Sequence, residues 1–183
     1  MSQSQKMRSA LSKYVIPNLT AKGFVGEYPH YRRVYDDRID LLVFQANKHG
    51  NSFTVGVSTV FLPSSKRESN FYCGDFKTIE SATVWDTNLR YCLKGMYDGW
   101  FYYTDVYKQR SAGMTFYNAV SETMAKSYVP SKNEKLVQKA SDDTYSKVCE
   151  EVNHQMKYAF GWWDAFYRNN KIKMKFLELK NHL

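Results

Sequence analysis

From Tyr31 to Leu62 the apolar and polar positions fall into three runs whose length and period suit consecutive antiparallel strands. Ile39, Leu41 and Val43 alternate with Asp40, Leu42 and Phe44, so one side of an extended segment is wholly apolar and the other partly so. That is the pattern of a strand with one face on a core. After Gln45 comes Ala46-Asn47-Lys48-His49-Gly50-Asn51, whose Asn and Gly residues tolerate the positive φ of a tight reversal and predict a hairpin. In the next run Phe53, Val55 and Val57 share one face, while Thr54, Gly56 and Ser58 share the other and leave room for a closely packed element, most simply a helix. Asp36-Asp37-Arg38 is turn chemistry that separates Tyr31–Tyr35 from Ile39. Pro63, with no amide to donate, ends the third strand.

The period changes on either side. Met7, Leu11, Val15 and Leu19 recur every fourth residue, predicting a helix over 4–22 with a kink near Lys13 imposed by Pro17 and a C-terminal cap at Gly23. Residues 64–70 are polar and read as a loop. Thr78 to Trp85 carries β-branched and aromatic residues enough for a strand, whereas Leu89, Tyr91 and Leu93 fit a short strand or a helical turn equally well. Asp98-Gly99 signals a turn before a strand over Trp100 to Val106. Phe116, Val120, Met124 and Tyr128 form a helical stripe closed by Pro130, and Ser131 with Glu134 has the spacing of a capping box for a short helix through Ala140. Asp142 or Asp143 caps a longer helix with a stripe from Tyr145 through Val148, Val152, Met156, Ala159 and Trp163 to Phe166. In 171–183 both periods are present, and the Lys, Met, Leu and Glu content favours helix. The architecture expected is α+β: an antiparallel sheet of about four to six strands with N- and C-terminal helices packed on one face.

Several of these segments also carry a family resemblance. A helix containing Pro17, then Lys22-Gly23-Phe24, Tyr31-Arg32-Arg33, Leu42-Val43-Phe44-Gln45 and Phe53-Thr54-Val55-Gly56-Val57 resembles the bacterial domain-of-unknown-function 4304 family, best over residues 11–62. Asp98-Gly99-Trp100-Phe101 and Tyr128-Val129-Pro130 stand where the resemblance implies a tryptophan-containing segment and a later proline. These are fold-making residues, so the resemblance implies an architecture and no activity.

Length and composition narrow the picture further. A chain of 183 residues suits a single domain, 1–183, with one core, and 43% hydrophobic with 24% charged residues is a globular composition. Fifteen Tyr and eleven Phe are many for this length. They serve sheet faces and core edges on one reading, and a contact surface for a protein or a nucleobase on the other. Lys and Arg number 26 against 18 Asp and Glu, a formal charge of +8, which favours an acidic partner, whether protein or nucleic acid. The excess sits at the ends, in Lys6, Arg8, Lys13 and Lys22 and again in Arg168, Lys171, Lys173, Lys175 and Lys180. Cys73, Cys92 and Cys149 form no close pair, which is intracellular usage. With no secretory signal and no long apolar window, a cytoplasmic protein without a membrane partner is expected.

Catalytic chemistry has little support. His30, His49, His154 and His182 are scattered, and Cys149 and His154 are turned about 140° apart on an ideal helix, so no zinc site and no cofactor are expected. Asp36, Asp37 and Asp40 beside Arg32, Arg33 and Arg38 form the one cluster a hydrolase or metal-dependent nuclease could use, although adjacent Asp residues at a turn are also ordinary turn chemistry. Glycine-rich phosphate loops, dinucleotide fingerprints and nucleophile elbows are missing. Tyr31, Arg32, Arg33 and Tyr35, with Trp100, Tyr102 and Tyr103 on another strand, are the candidate partner-binding residues. They suit a protein interface, or a sheet face that stacks bases while Arg meets phosphate. The second version requires Arg32 and Trp100 to project from the same face. The function expected is an inhibitory or immunity-like binding module of bacterial or phage origin with an acidic protein partner; nucleic-acid binding is the alternative, and an enzyme at the Asp36/Asp37/Asp40 turn the third reading.

Overall fold

The computed structural model describes residues 1–47, 52–62, 77–87, 90–94, 99–103, 105–110, 113–117, 134–140 and 142–180, with backbone alone for 105–110, 113–117, 134–139 and 171–180. Helix α1 (Gln3–Tyr14) and the short α2 (Ile16–Ala21) are followed by strands β1 (Val25–Glu27), β2 (His30–Val34), β3 (Arg38–Ala46) and β4 (Ser52–Phe61). Two 3-10 turns, Ile79–Ser81 and Val84–Asp86, precede β5 (Tyr91–Cys92) and β6 (Trp100–Tyr102). Strands β7 (Asp105–Arg110), β8 (Gly113–Tyr117) and β9 (Glu134–Lys139) come next, and α3 (Asp142–Lys180) closes the order.

The main sheet is six-stranded and antiparallel, in the order β1-β2-β3-β4, with β5 and β6 both pairing β4. Leu42 pairs Val57 and Phe44 pairs Val55, so the alternation read from the sequence becomes two faces. One face, with Tyr31, Leu42, Phe44, Phe53, Val55, Val57 and Phe101, receives Met7, Leu11, Val15 and Leu19 from α1, α2 and the residue between them, and Val148, Val152, Met156 and Trp163 from α3. N- and C-terminal helices thus cover the same side of an α+β fold. Trp163 is fully buried; its ring lies 5.2 Å from Phe24, and its indole N–H donates to the Ser58 carbonyl at 2.8 Å. The other face presents Ile39, Leu41, Val43 and Val60, and the two 3-10 turns cover it with Ala82 and Val84. β7 is the centre of a separate three-stranded sheet, ordered β8-β7-β9.

Several local expectations change. Pro17 does not bend one helix at Lys13. The helix stops at Tyr14 and restarts at Ile16, with Pro17 in the first turn of α2, where a missing amide costs nothing. Gly23 (φ +84°) does end α2, with Phe24 N–H bonding Leu19 O at 3.1 Å and Gly23 N–H bonding Thr20 O at 2.9 Å. Thr78 to Trp85 is no strand, because the Thr78 and Thr83 hydroxyls accept from the Ser81 and Trp85 amides and cap two 3-10 turns. Among the described residues, what covers the small-residue face of β4 is these turns: Ser58 Oγ meets Thr87 Oγ1 at 2.6 Å, and Arg90 lies over Gly56. The run from Trp100 to Val106 divides between two sheets, and 134–139 is strand where a capped helix was expected, its pairing with β7 outweighing the helix preference of Glu, Lys and Leu. Phe116 of the expected stripe lies in β8, and Val120, Met124 and Tyr128 fall outside the described residues, as do the 64–70 loop and the tip of the β3–β4 hairpin. Among the described residues no helix is long and apolar enough to cross a membrane.

Candidate functional site

Strand register divides the candidate partner-binding residues into three groups. Tyr31 pairs Leu42 and is buried on the helix side; Tyr103 is buried there too, its hydroxyl 3.2 Å from Ser4 Oγ and its ring 6.1 Å from Tyr145. Arg33 pairs Asp40 and belongs to that side as well. Arg32 pairs Leu41, whose side chain lies on the other face, which is helix-free among the described residues. Trp100 and Tyr102 pair Thr54 and Ser52, while Phe101 between them stacks 5.3 Å from Phe53 in the helix-side core. By alternation Trp100 and Tyr102 therefore share the helix-free face with Arg32, and both are half-buried. Tyr35 lies at the β2–β3 turn, 38% exposed.

The helix-free face holds two further residues that sequence reasoning passed over. The 3-10 turn over Val84–Asp86 lifts Trp85 off the sheet, leaving it 54% exposed, and the Arg90 guanidinium stacks on its ring at 4.8 Å. Arg90 is held from below as well, donating from Nη1 to Gln45 Oε1 at 3.1 Å. Its stem crosses Gly56 so closely that a Cβ there would lie 2.9 Å from Arg90 Cδ and 3.2 Å from Val43 Cγ1. Glycine is what lets the arginine lie flat on the sheet. Val25 and Val34 leave further exposed apolar surface on this side. The available signal was Thr83 with Asp86 at capping-box spacing, which marks a turn that tips the intervening Trp85 outward; Thr83 N–H donates to Asp86 Oδ2 at 2.7 Å.

At the β2–β3 end the charged cluster is turned inward. Asp40 is fully buried, accepting from Arg33 Nη2 at 2.8 Å, Arg33 Nε at 3.3 Å and Thr59 Oγ1 at 3.0 Å. Arg38 Nε is 3.1 Å from Asp40 Oδ1, close enough for an ion pair yet off the hydrogen-bond line. Burial pushes the Asp40 carboxyl above its ordinary range, against the opposing pull of Arg33, Arg38 and Thr59. The Arg38 guanidinium is held between the rings of Tyr35 and Tyr167, at 4.4 and 4.1 Å, and Arg33 lies over Phe24 and Tyr35 at 5.0 and 5.1 Å. The Tyr167 hydroxyl donates to Asp37 Oδ2 at 2.5 Å. Asp40 thus faces two arginines and a threonine beneath α3, whereas Asp37 meets Tyr167 at the exposed turn, so they do not converge as a catalytic or metal-binding pair would. Among the described residues no three His, Cys, Asp or Glu side chains gather as metal ligands do.

The remaining titratable candidates stand apart. Burial pushes the Cys149 thiol up to about 11, while His154 is exposed beside Lys157 at 3.0 Å, so the two form no nucleophile pair. Burial lowers the His30 pKa, against the charge of Asp86, and leaves its Nδ1 without a hydrogen-bond partner. A family described as a domain of unknown function (DUF4304) matches residues 15–165. No curated protein and no solved structure matches the chain.

Proposed function

The chain belongs to the DUF4304 family, a domain of unknown function, and we propose that it is a protein-binding module that works by covering an acidic partner with the helix-free face of its main sheet. The supporting observation is the Trp85–Arg90 stack, which stands on the same face as Arg32, Trp100 and Tyr102. Trp, Tyr and Arg are the residue types that dominate binding energy when a partner removes them from water. An arginine already laid on an aromatic ring and bonded to Gln45 loses little side-chain freedom on binding, so the surface is preorganised. An inhibitor or immunity-like protein needs such a surface and no catalytic group.

The test is retention of host proteins by the tagged protein, in nuclease-treated extract, alongside Trp85→Ala and Arg90→Ala. A partner held through high salt by the wild type and lost by both variants is expected; retention equal in all three would overturn the reading. Nucleic acid that co-purifies without nuclease and leaves steeply as salt rises would put Arg32 and Arg90 on phosphate instead. The coplacement of Arg32 and Trp100 meets the condition set for that alternative.

A further inference from the structure

The helix side of the molecule carries a cleft unrelated to the face discussed above. It opens between α2 and α3 with a volume of about 310 Å³, floored by Leu19, Met156 and Phe160 and rimmed by Asn18, Asn153 and Lys22. Its rim is a product of the helix break at Pro17. Asn18 N–H turns to the Val15 carbonyl at 3.1 Å, leaving the Tyr14 carbonyl to the side-chain amides of Asn18 and Asn153 at 3.3 and 2.9 Å. The two amides also join each other at 3.1 Å, tying the first helices to α3 across one end of the cleft. At the other end the charge is positive. Lys22 is the one charged lining residue; its Nζ lies 6.0 Å from the Phe160 ring centre, with no carboxylate in ion-pair range among the described residues. Arg33 stacks on the same ring at 5.5 Å and bonds the Lys22 carbonyl at 3.4 Å.

An apolar floor, a fixed amide pair and an unpaired ammonium at the mouth describe a site for a small amphipathic acid. We propose that this cleft binds a free monocarboxylate with an aromatic or branched aliphatic body, the body on Leu19, Met156 and Phe160 and the carboxylate toward Lys22. The volume stands at the lower end of the range for ligand pockets, about 300–1,000 Å³, which limits the occupant to a compact molecule.

The test is an amide chemical-shift titration of the full chain with 4-phenylbutyrate and, separately, with its neutral amide. Saturating shifts at Asn18, Lys22 and Asn153 are expected for the acid, with a Kd of about 1 mM, as suits a ligand of about a dozen non-hydrogen atoms. The amide should bind about three- to five-fold more weakly, the share due to an exposed ion pair, and Lys22→Gln should bring the acid to the level of the amide. Ala21→Trp, at an exposed lining position, should block both compounds while the rest of the spectrum reports an intact fold. Shifts that fail to saturate at about tenfold the expected Kd, equal affinity for acid and amide, or binding unchanged by Ala21→Trp would each overturn the proposal.

Discussion

The two faces of the main sheet are closed in different ways. On the helix side large side chains interdigitate: Trp163, Phe24, Phe44, Phe53 and Phe101 are almost wholly buried, and three helical segments supply the lid. On the other side, among the described residues, two 3-10 turns contribute Ala82 and Val84, and Trp85, Arg90, Trp100 and Arg32 stand at the margins. β3 gives apolar residues to both faces, but β4 sends Phe53, Val55 and Val57 to the helix side and Thr54, Gly56 and Ser58 to the other, so the difference lies in the sheet as well as in the lid. A thick aromatic lid stabilises the fold, whereas a thin one covers the centre and leaves rings and guanidiniums at the edge, where a partner could reach them.

That division implies that substitutions on the helix side should unfold the protein and those at the opposite margin should spare it. Trp163→Ala removes the largest buried side chain and its bond to Ser58, and should cost about 4 kcal/mol in urea denaturation. Asp40→Asn leaves two guanidiniums facing each other without a counter-charge in a buried site, and about 3 kcal/mol is expected by the same measurement. A neutral effect there would show that the Tyr35 and Tyr167 rings hold Arg38 unaided. Gly56→Ala drives a methyl against Arg90 and Val43; it should cost about 1 kcal/mol and shift the Trp85 fluorescence as Arg90 lifts away. Trp85→Ala should alter stability by less than about 0.5 kcal/mol while abolishing partner retention, because its ring is more than half exposed.

A smaller effect follows from Cys149, whose thiol is pushed by burial from 9.0 to about 11. The unfolded chain ionises first, so stability is unaffected below pH 9 and falls as pH rises from 9 toward 11. Iodoacetamide at pH 9 should accordingly label Cys149 slowly in the folded protein and quickly in urea. Fast labelling of the folded protein would mean that α3 does not seal the helix-side core.

What could be read from the chain alone tracks where one force dominates. Strands β3 and β4 were legible because hydrophobic alternation in Ile39–Phe44 and Phe53–Val57 has a single period, and the α3 stripe from Tyr145 to Phe166 for the same reason. The segment 78–85 does not form the strand its composition suggests: β-branched residues favour strands in general, yet Thr78 and Thr83 spend their hydroxyls on backbone amides. Residues 134–139 went astray in the opposite sense, since pairing with β7 is a tertiary choice that local propensity does not contain. In the candidate site, adjacent Arg32 and Arg33 had to point to opposite faces if β2 was a strand; with this applied, only Arg32 would have joined Trp100 and Tyr102. The Trp85–Arg90 stack was beyond reach, because it depends on Gly56 passing beneath, on a strand far away in the chain.

The bond from Trp163 to Ser58 also sets an order of events. It joins residues 105 positions apart, whereas Ser58 and Thr87, on the other face, are separated by 29. As the chain emerges from the ribosome, the thin lid can close soon after Thr87, but the aromatic face has no cover from α3 until Asp142 and the residues beyond it are made. At about 5–20 residues per second that interval is on the order of seconds, long for a sheet face lined with Phe44, Phe53 and Phe101. Chains halted before α3 are therefore the species expected to aggregate or to engage chaperones, because the aromatic face of the sheet then lacks the cover that Val148, Val152, Met156 and Trp163 give it.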